Sequence, residues 1–201
     1  PMQKGMLFHY LYNKDSLSYL EQHTFEINSD INIRILQESF NLIFNKHQIF
    51  RTSFIETKDN IHLQVVLKNR PIYLKFEDIT HLDKNSQNSF IQYKLTENNN
   101  YKFDLFEDAL LKISLFKKAQ AKYLLVFSFH HILLDGWSLP IFFKELSNNY
   151  FALLNNKQIT NSVVPYSSFI EWLDEKDHNR TENYWENYLV NYSNAENLTN
   201  K

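Results

Sequence analysis

Residues 130–136 read His-His-Ile-Leu-Leu-Asp-Gly, which puts two adjacent imidazoles, a carboxylate and one of the chain's two glycines into one short stretch. The preceding Tyr123-Leu-Leu-Val-Phe-Ser-Phe129 is almost wholly apolar. Ionisable groups at the end of such a run must be bonded or put to use. Side chains alternate along a strand, so Phe127, Phe129 and His131 share one side while Val126, Ser128 and His130 share the other. The two histidines therefore have different tasks. One faces whatever cavity lies at the strand end, where an imidazole can exchange protons near neutral pH; the other faces the body of the protein, where a neutral ring bonded to backbone is the economical state. Asp135 must be solvated or paired, and Gly136 reads as the unusual backbone angle or close approach of a tight strand-to-helix connection. Taken singly, a histidine near a strand end is more often structural than catalytic, and Asp-Gly is an ordinary turn; the conjunction is what points to chemistry.

The elements that must position this stretch read as mixed α/β. Residues 1–14 suit a helix opening at Pro1, with Met2, Met6 and Phe8 or His9 at helical spacing. Asp30 is the expected cap of a second helix whose Ile33, Leu36, Phe40, Ile43, Phe44 and His47 step along one face. Phe50–Glu56 and Ile61–Leu67 alternate as two strands of a hairpin through Thr57-Lys-Asp-Asn60. A helix over Ser86–Glu97 leads into strands at Ala109–Lys117 and Lys122–His131. Ser138 is expected to cap the next helix, with Pro140 in its first turn, and the tail from Tyr166 reads as two short aromatic-rich helices. Trp172, Tyr184 and Trp185 suit helix packing better than ligand stacking. At least four strands are expected.

Composition narrows the functional classes. With 201 residues, 43% hydrophobic, the chain can build one globular core or one lobe of a larger domain. Its net charge of −2, with both signs dispersed, offers no field for nucleic acid or an anionic membrane. No apolar run approaches the roughly 20 residues that span a bilayer, and the N-terminal segment lacks signal-peptide zones. There are no cysteines, hence no disulfides or thiolate metal sites, and the expected compartment is the cytoplasm. His9, His23, His47, His62, His81 and His178 show no close metal-ligand spacing, so no metal is expected; His47, beside Arg51, suits a core or supporting role. Gly136-Trp-Ser138 is not a nucleophile elbow.

The joint pattern resembles the His-His-x-x-x-Asp-Gly signature of the acyltransferase superfamily that contains chloramphenicol acetyltransferase and the condensation domains of nonribosomal peptide synthetases. Four further stretches resemble condensation domains in order: Pro1-Met-Gln-Lys-Gly-Met-Leu-Phe-His9; Lys46-His-Gln-Ile-Phe-Arg-Thr-Ser-Phe54, with Lys46, Gln48 and Phe50 where Arg, Glu and Leu are usual; the Tyr101-Lys-Phe-Asp-Leu105 region, with Lys102 for proline; and Val164-Pro-Tyr-Ser-Ser-Phe-Ile-Glu-Trp-Leu173. The resemblance covers nearly the whole chain. It implies a chloramphenicol acetyltransferase-like α/β lobe, a two-layer arrangement of mixed β-sheet covered by helices. It also implies that residues 1–201 are the N-terminal lobe of a condensation domain, with the C-terminal lobe absent and the isolated lobe inactive.

The implied activity is peptide bond formation between a carrier-bound donor acyl or peptidyl thioester and a carrier-bound acceptor aminoacyl thioester. The opening motif resembles members that take a donor with a D-configured terminal residue. The implied partners are the donor and acceptor carrier proteins and the C-terminal lobe. No cofactor is bound directly, the phosphopantetheine arms being carried by the carriers. By resemblance His131 lies beside the reacting amine and Gly136 offers its N–H near the developing oxyanion. His130 is structural, and Asp135 pairs with Arg51 to shape the loop. Two alternatives stay open: a stand-alone CoA-dependent acetyltransferase, disfavoured because about a third of the chain follows the His-His motif, and a non-catalytic carrier-docking lobe.

Overall fold

The structure, a computed structural model, describes residues 2–13, 16–159, 162–190 and 192. It separates into two units, residues 1–163 and 164–201. The first is built on a four-stranded sheet of order β1-β6-β5-β4, comprising β1 (Leu20–Ile27), β4 (Leu74–Asp78), β5 (Leu111–Ala119) and β6 (Lys122–His130). Strand β6 pairs antiparallel with β1 and β5, and β4 runs parallel to β5. A separate hairpin joins β2 (Thr52–Glu56) to β3 (His62–Val66). Its turn closes through the Thr57 N–H and Ile61 carbonyl, with Asn60 at a φ of 57°, a conformation asparagine tolerates better than most residues.

Strand β6 is apolar on both sides and is covered on both. Tyr123, Leu125, Phe127 and Phe129 enter a core with Leu36, Phe40, Ile43 and Phe44 of α2 (Ile33–Lys46) and with Phe142 and Leu146 of α4 (Ser138–Leu154). Leu124 and Val126 pack with Phe116, Ile79 and Ile91, the last from α3 (Lys84–Asn99). The α/β class and helix-covered mixed sheet are thus as expected, and α3 adds a second helical layer to the two-layer arrangement. It also makes the crossover that a parallel β4–β5 pair requires.

Helix starts follow local side-chain acceptors. Asn32, not Asp30, caps α2, its Oδ1 accepting from the Ile35 N–H at 3.1 Å. Asp83 caps α3 by accepting from the Asn85 and Ser86 N–H groups, which moves its start ahead of the expected Ser86. Ser138 is the first residue of α4 and not its cap; the acceptor there is Asp135. Helix α1 (Met2–Tyr12) buries Leu7 and packs Met6, Tyr10 and Leu11 inward, so that of Met2, Met6, Phe8 and His9 only Met6 faces the core. The expected start at Pro1 lies outside the described residues.

The second unit contains α5 (Tyr166–Asp174) and α6 (His178–Leu189), the two short aromatic helices expected. Phe169 stacks on Trp172 at 5.8 Å, and Tyr184 on Tyr188 at 5.9 Å, each within its own helix. Among the described residues no helix is long and apolar enough to cross a membrane.

Candidate active site

Strand β6 ends at His130, so His131 opens a turn that runs to the start of α4. The two histidines part company there. His130 is 7% exposed, and its Nδ1 accepts the Ile132 N–H at 3.1 Å, which leaves its proton on Nε2. Burial, with a smaller contribution from neighbouring His131, pushes its pKa down to about 4. It is a neutral, backbone-bonded ring, as the alternation of the strand requires.

His131 is half-buried, and its Nδ1 lies 2.7 Å from the Leu134 carbonyl oxygen. A carbonyl can only accept, so Nδ1 carries a proton and the neutral ring presents a bare Nε2. Among the described residues no hydrogen-bond partner meets that Nε2. The backbone beneath is held from several directions. The His131 N–H donates to the Tyr19 carbonyl at 2.7 Å, the Leu133 N–H to His130 at 3.0 Å, and the His130 N–H to Leu110 at 3.0 Å. From α1, the Gln3 side-chain amide donates to the Ile132 carbonyl at 3.0 Å. Buried Ile132, Leu133 and Leu134 anchor the turn in the core.

Asp135 does not pair with Arg51. Its Oδ1 accepts the Ser138 N–H at 2.8 Å and the Ser138 hydroxyl at 2.7 Å, and these bonds, hydroxyl first, hold its carboxyl below the usual carboxylate range. Arg51 ends a single 3-10 turn (Gln48–Arg51) and donates to the carbonyls of Phe44 (3.2 Å), Asn45 (3.3 Å), Leu67 (2.8 Å) and Lys68 (3.2 Å). The reason is proximity. Serine three positions on completes a local cap for Asp135, and the orphan carbonyls at the end of α2 lie beside the guanidinium. Arg51 thus staples α2 to the end of β3.

Gly136 also departs from expectation. Its φ is not positive, and a Cβ built there would meet nothing within 4 Å, so neither backbone angle nor crowding demands glycine here. Trp137, next in line, is 87% exposed. The space at Gly136 is open to a ligand or another protein surface.

Sequence reasoning did not anticipate a clamp between α2 and α4. Glu145 accepts from Lys46 Nζ at 2.5 Å and lies 2.7 Å from His47 Nε2. Burial works to raise the Glu145 pKa, but the bonds from Lys46 and His47 outweigh it and the net shift is downward. The signal was there in His47 closing the apolar face of α2. The Tyr101–Asp108 segment is likewise knitted in: Asp108 accepts from the Tyr101 hydroxyl and the Asp104 N–H, and Phe103 and Leu105 are buried. Among the described residues no cluster of His, Cys, Asp or Glu assembles that could hold a metal ion.

Comparison with known proteins fits this geometry. The family model described as "Condensation domain" matches residues 1–201. Curated relatives include gramicidin S synthase 2 of Brevibacillus brevis, 38% identical over 202 residues, covering 100% of this chain and 4% of the relative. Surfactin synthase subunit 3 of Bacillus subtilis is 38% identical, with 96% of the chain and 15% of the relative covered. Tyrocidine synthase 2 of Brevibacillus parabrevis is 36% identical over 100% of the chain, which spans 6% of that relative. Among solved structures, the starter condensation domain of rhizomide synthetase superposes with a TM-score of 0.84 at 17% identity, over 96% of this chain and 47% of that one. The first condensation domain of the calcium-dependent antibiotic synthetase gives a TM-score of 0.78 at 15% identity, over 95% and 46%. The chain therefore spans a small part of its curated relatives and about half of these solved chains.

Proposed function

Because this chain belongs to the condensation-domain family, we propose that it is the N-terminal lobe of an enzyme that joins a carrier-bound donor thioester to the amine of a carrier-bound aminoacyl thioester. The observation that carries this reading is the His131 imidazole, tied at Nδ1 to Leu134 and bare at Nε2. Such a group can accept a hydrogen bond or a proton from an attacking amine.

The chemistry asks little of the base at first. An α-amine has a pKa of about 7.7–8.0, so much of it is neutral near that pH. As its lone pair attacks the thioester carbonyl carbon, positive charge grows on nitrogen. His131 Nε2 relieves it by taking the N–H proton. The carbonyl electron pair moves onto oxygen, returns as the C–S bond breaks, and the departing thiolate takes up a proton. A positioned base contributes roughly 10²–10⁴ in rate, and alignment of two tethered substrates contributes further. The Gly136 N–H is the proposed oxyanion donor, supported by the open space there and by its place just before α4, where a helix N-terminus favours negative charge.

In this reading the phosphopantetheine arms belong to the two carrier proteins and are part of the substrates, a second lobe completes the site, and the enzyme is cytoplasmic. The opening motif supports a donor with a D-configured terminal residue. The family match does not favour the free-standing CoA-dependent acetyltransferase. The test is His131→Ala in the complete condensation domain, assayed for amide product in a single turnover with both carriers loaded. A loss of at least 100-fold is expected from the proposed base role; a rate near wild type would remove His131 from the chemistry.

A further inference from the structure

We propose that Gln3 is a positioning residue for His131. This rests on the reading of His131 as the group at the reacting amine. The direction of Nε2 depends on the Nδ1 bond to Leu134, and that bond spans the turn His131–Leu134. Several peptide groups of this turn have a defined holder. The His131 N–H is held by Tyr19, the Ile132 N–H by the His130 ring, and the Leu133 N–H by the His130 carbonyl. The Ile132 carbonyl is held by the Gln3 side chain, 129 positions away in sequence.

Helix α1 is well placed to act as a fixed support. Leu7 is buried and Met6, Tyr10 and Leu11 lie against the core, so the backbone carrying Gln3 is anchored by its neighbours and not by Gln3 itself. Gln3 is only half-buried, and among the described residues its amide has one hydrogen bond, that to Ile132. Its removal therefore leaves the core intact and takes one of two bonds from the Ile132–Leu133 peptide plane, whose Leu133 N–H stays on the His130 carbonyl. Water can satisfy a carbonyl at a half-buried site, but it does not fix the direction of that carbonyl. The orientation of His131 is then averaged over more turn geometries. Loss of alignment lowers the rate of the bound complex while leaving substrate binding alone.

The experiment compares four variants in the complete condensation domain, measuring single-turnover amide formation against acceptor-carrier concentration. Gln3→Met keeps length and apolar stem but cannot donate. The saturating rate should fall roughly three- to tenfold, the worth of one hydrogen bond expressed as alignment, with the half-saturating concentration unchanged. Gln3→Lys retains a donor of similar reach and should recover most of the rate. Gln3→Glu replaces the donor by an acceptor of the same shape; it should match or exceed the methionine defect, and it serves if the methionine variant does not fold. His131→Ala separates the two claims. If it is inactive while Gln3→Met keeps the wild-type rate, or while Lys and Met behave alike, the positioning role is overturned and the functional reading stands. If His131→Ala is fully active, the functional reading falls and takes the inference with it.

Discussion

Arg51 and Asp135 share no partner in this structure, and a double-mutant cycle measures that separation directly. Arg51→Met keeps the aliphatic stem and deletes the guanidinium, which strands four carbonyls. Those of Asn45 and Lys68 are in exposed bonds and water replaces the donor there. Those of Phe44 and Leu67 are part-buried. A hydrogen bond from a charged donor is worth about 1.5–3 kcal/mol, and with the two part-buried bonds discounted because Arg51 is only half-buried, their loss amounts to roughly 2–4 kcal/mol. For a chain of this size that lowers the melting temperature by roughly 5–15 °C. Asp135→Ala removes a local cap worth about 1 kcal/mol. Urea titration of wild type, both single variants and the double variant should show additivity to within about 0.5 kcal/mol. A buried ion pair would behave otherwise, because the first deletion strands the second charge at a cost of about 3–5 kcal/mol. A coupling energy above about 2 kcal/mol would refute the assignment of these residues to separate duties.

Other outcomes follow from the same geometry. The His130 pKa of about 4 lies below its unfolded value of 6.5, so the unfolded chain binds the extra proton first. Stability is highest above pH 6.5 and falls as pH drops toward 4, by an amount on the order of 3 kcal/mol at the acid end; His130→Asn, which can still accept the Ile132 N–H, should flatten that part of the stability–pH curve. Glu145, whose carboxyl is shifted downward, contributes stability that is present above its unfolded pKa and lost as pH falls through the lower folded one. Glu145→Gln should cost roughly 1–3 kcal/mol near neutral pH in a denaturant titration and much less in acid.

The parts legible in the sequence are those where burial imposes a strong pattern. Strands β5 and β6 are internal and apolar, and α2 carries a clean inner face, so each is readable from residue type alone. Strands β1 and β4 are not, because they form the two edges of the sheet and carry Glu21, Glu26, Lys75, Glu77 and Asp78 among their apolar residues. Helix α1 is apolar nearly all round, so spacing could not choose between Met2 and Leu7 as the inward side. At the site, alternation along β6 put His130 toward the body of the protein, where its ring is buried and backbone-bonded, while His131 lies past the strand end in the turn. What it could not supply was backbone acceptors: the Leu134 and Tyr19 carbonyls carry no sequence signature, yet they fix the imidazole and the chain beneath it. Arg51 shows the opposite failure. The family resemblance implied a pair with Asp135, but backbone carbonyls beside the guanidinium take Arg51 and the Ser138 donors take Asp135.

The pairing of β1 with β6 has a consequence for synthesis. Leu20 leaves the ribosome well before His130, its partner in β6, and must wait for it. At about 5–20 residues per second, that delay is on the order of 5–20 s. Meanwhile β4, α3, β5 and β6 form a compact succession of near neighbours in sequence, and low sequence separation favours early assembly. Helix α1 and strand β1, made before these, can dock on β6 only after it has followed, and it is they that bring Gln3 and the Tyr19 carbonyl to the turn of His131. A nascent chain stalled before His130 would carry an unpaired strand β1 and an undocked helix α1, and the turn of His131 would be set only when these earlier segments close onto the end of β6.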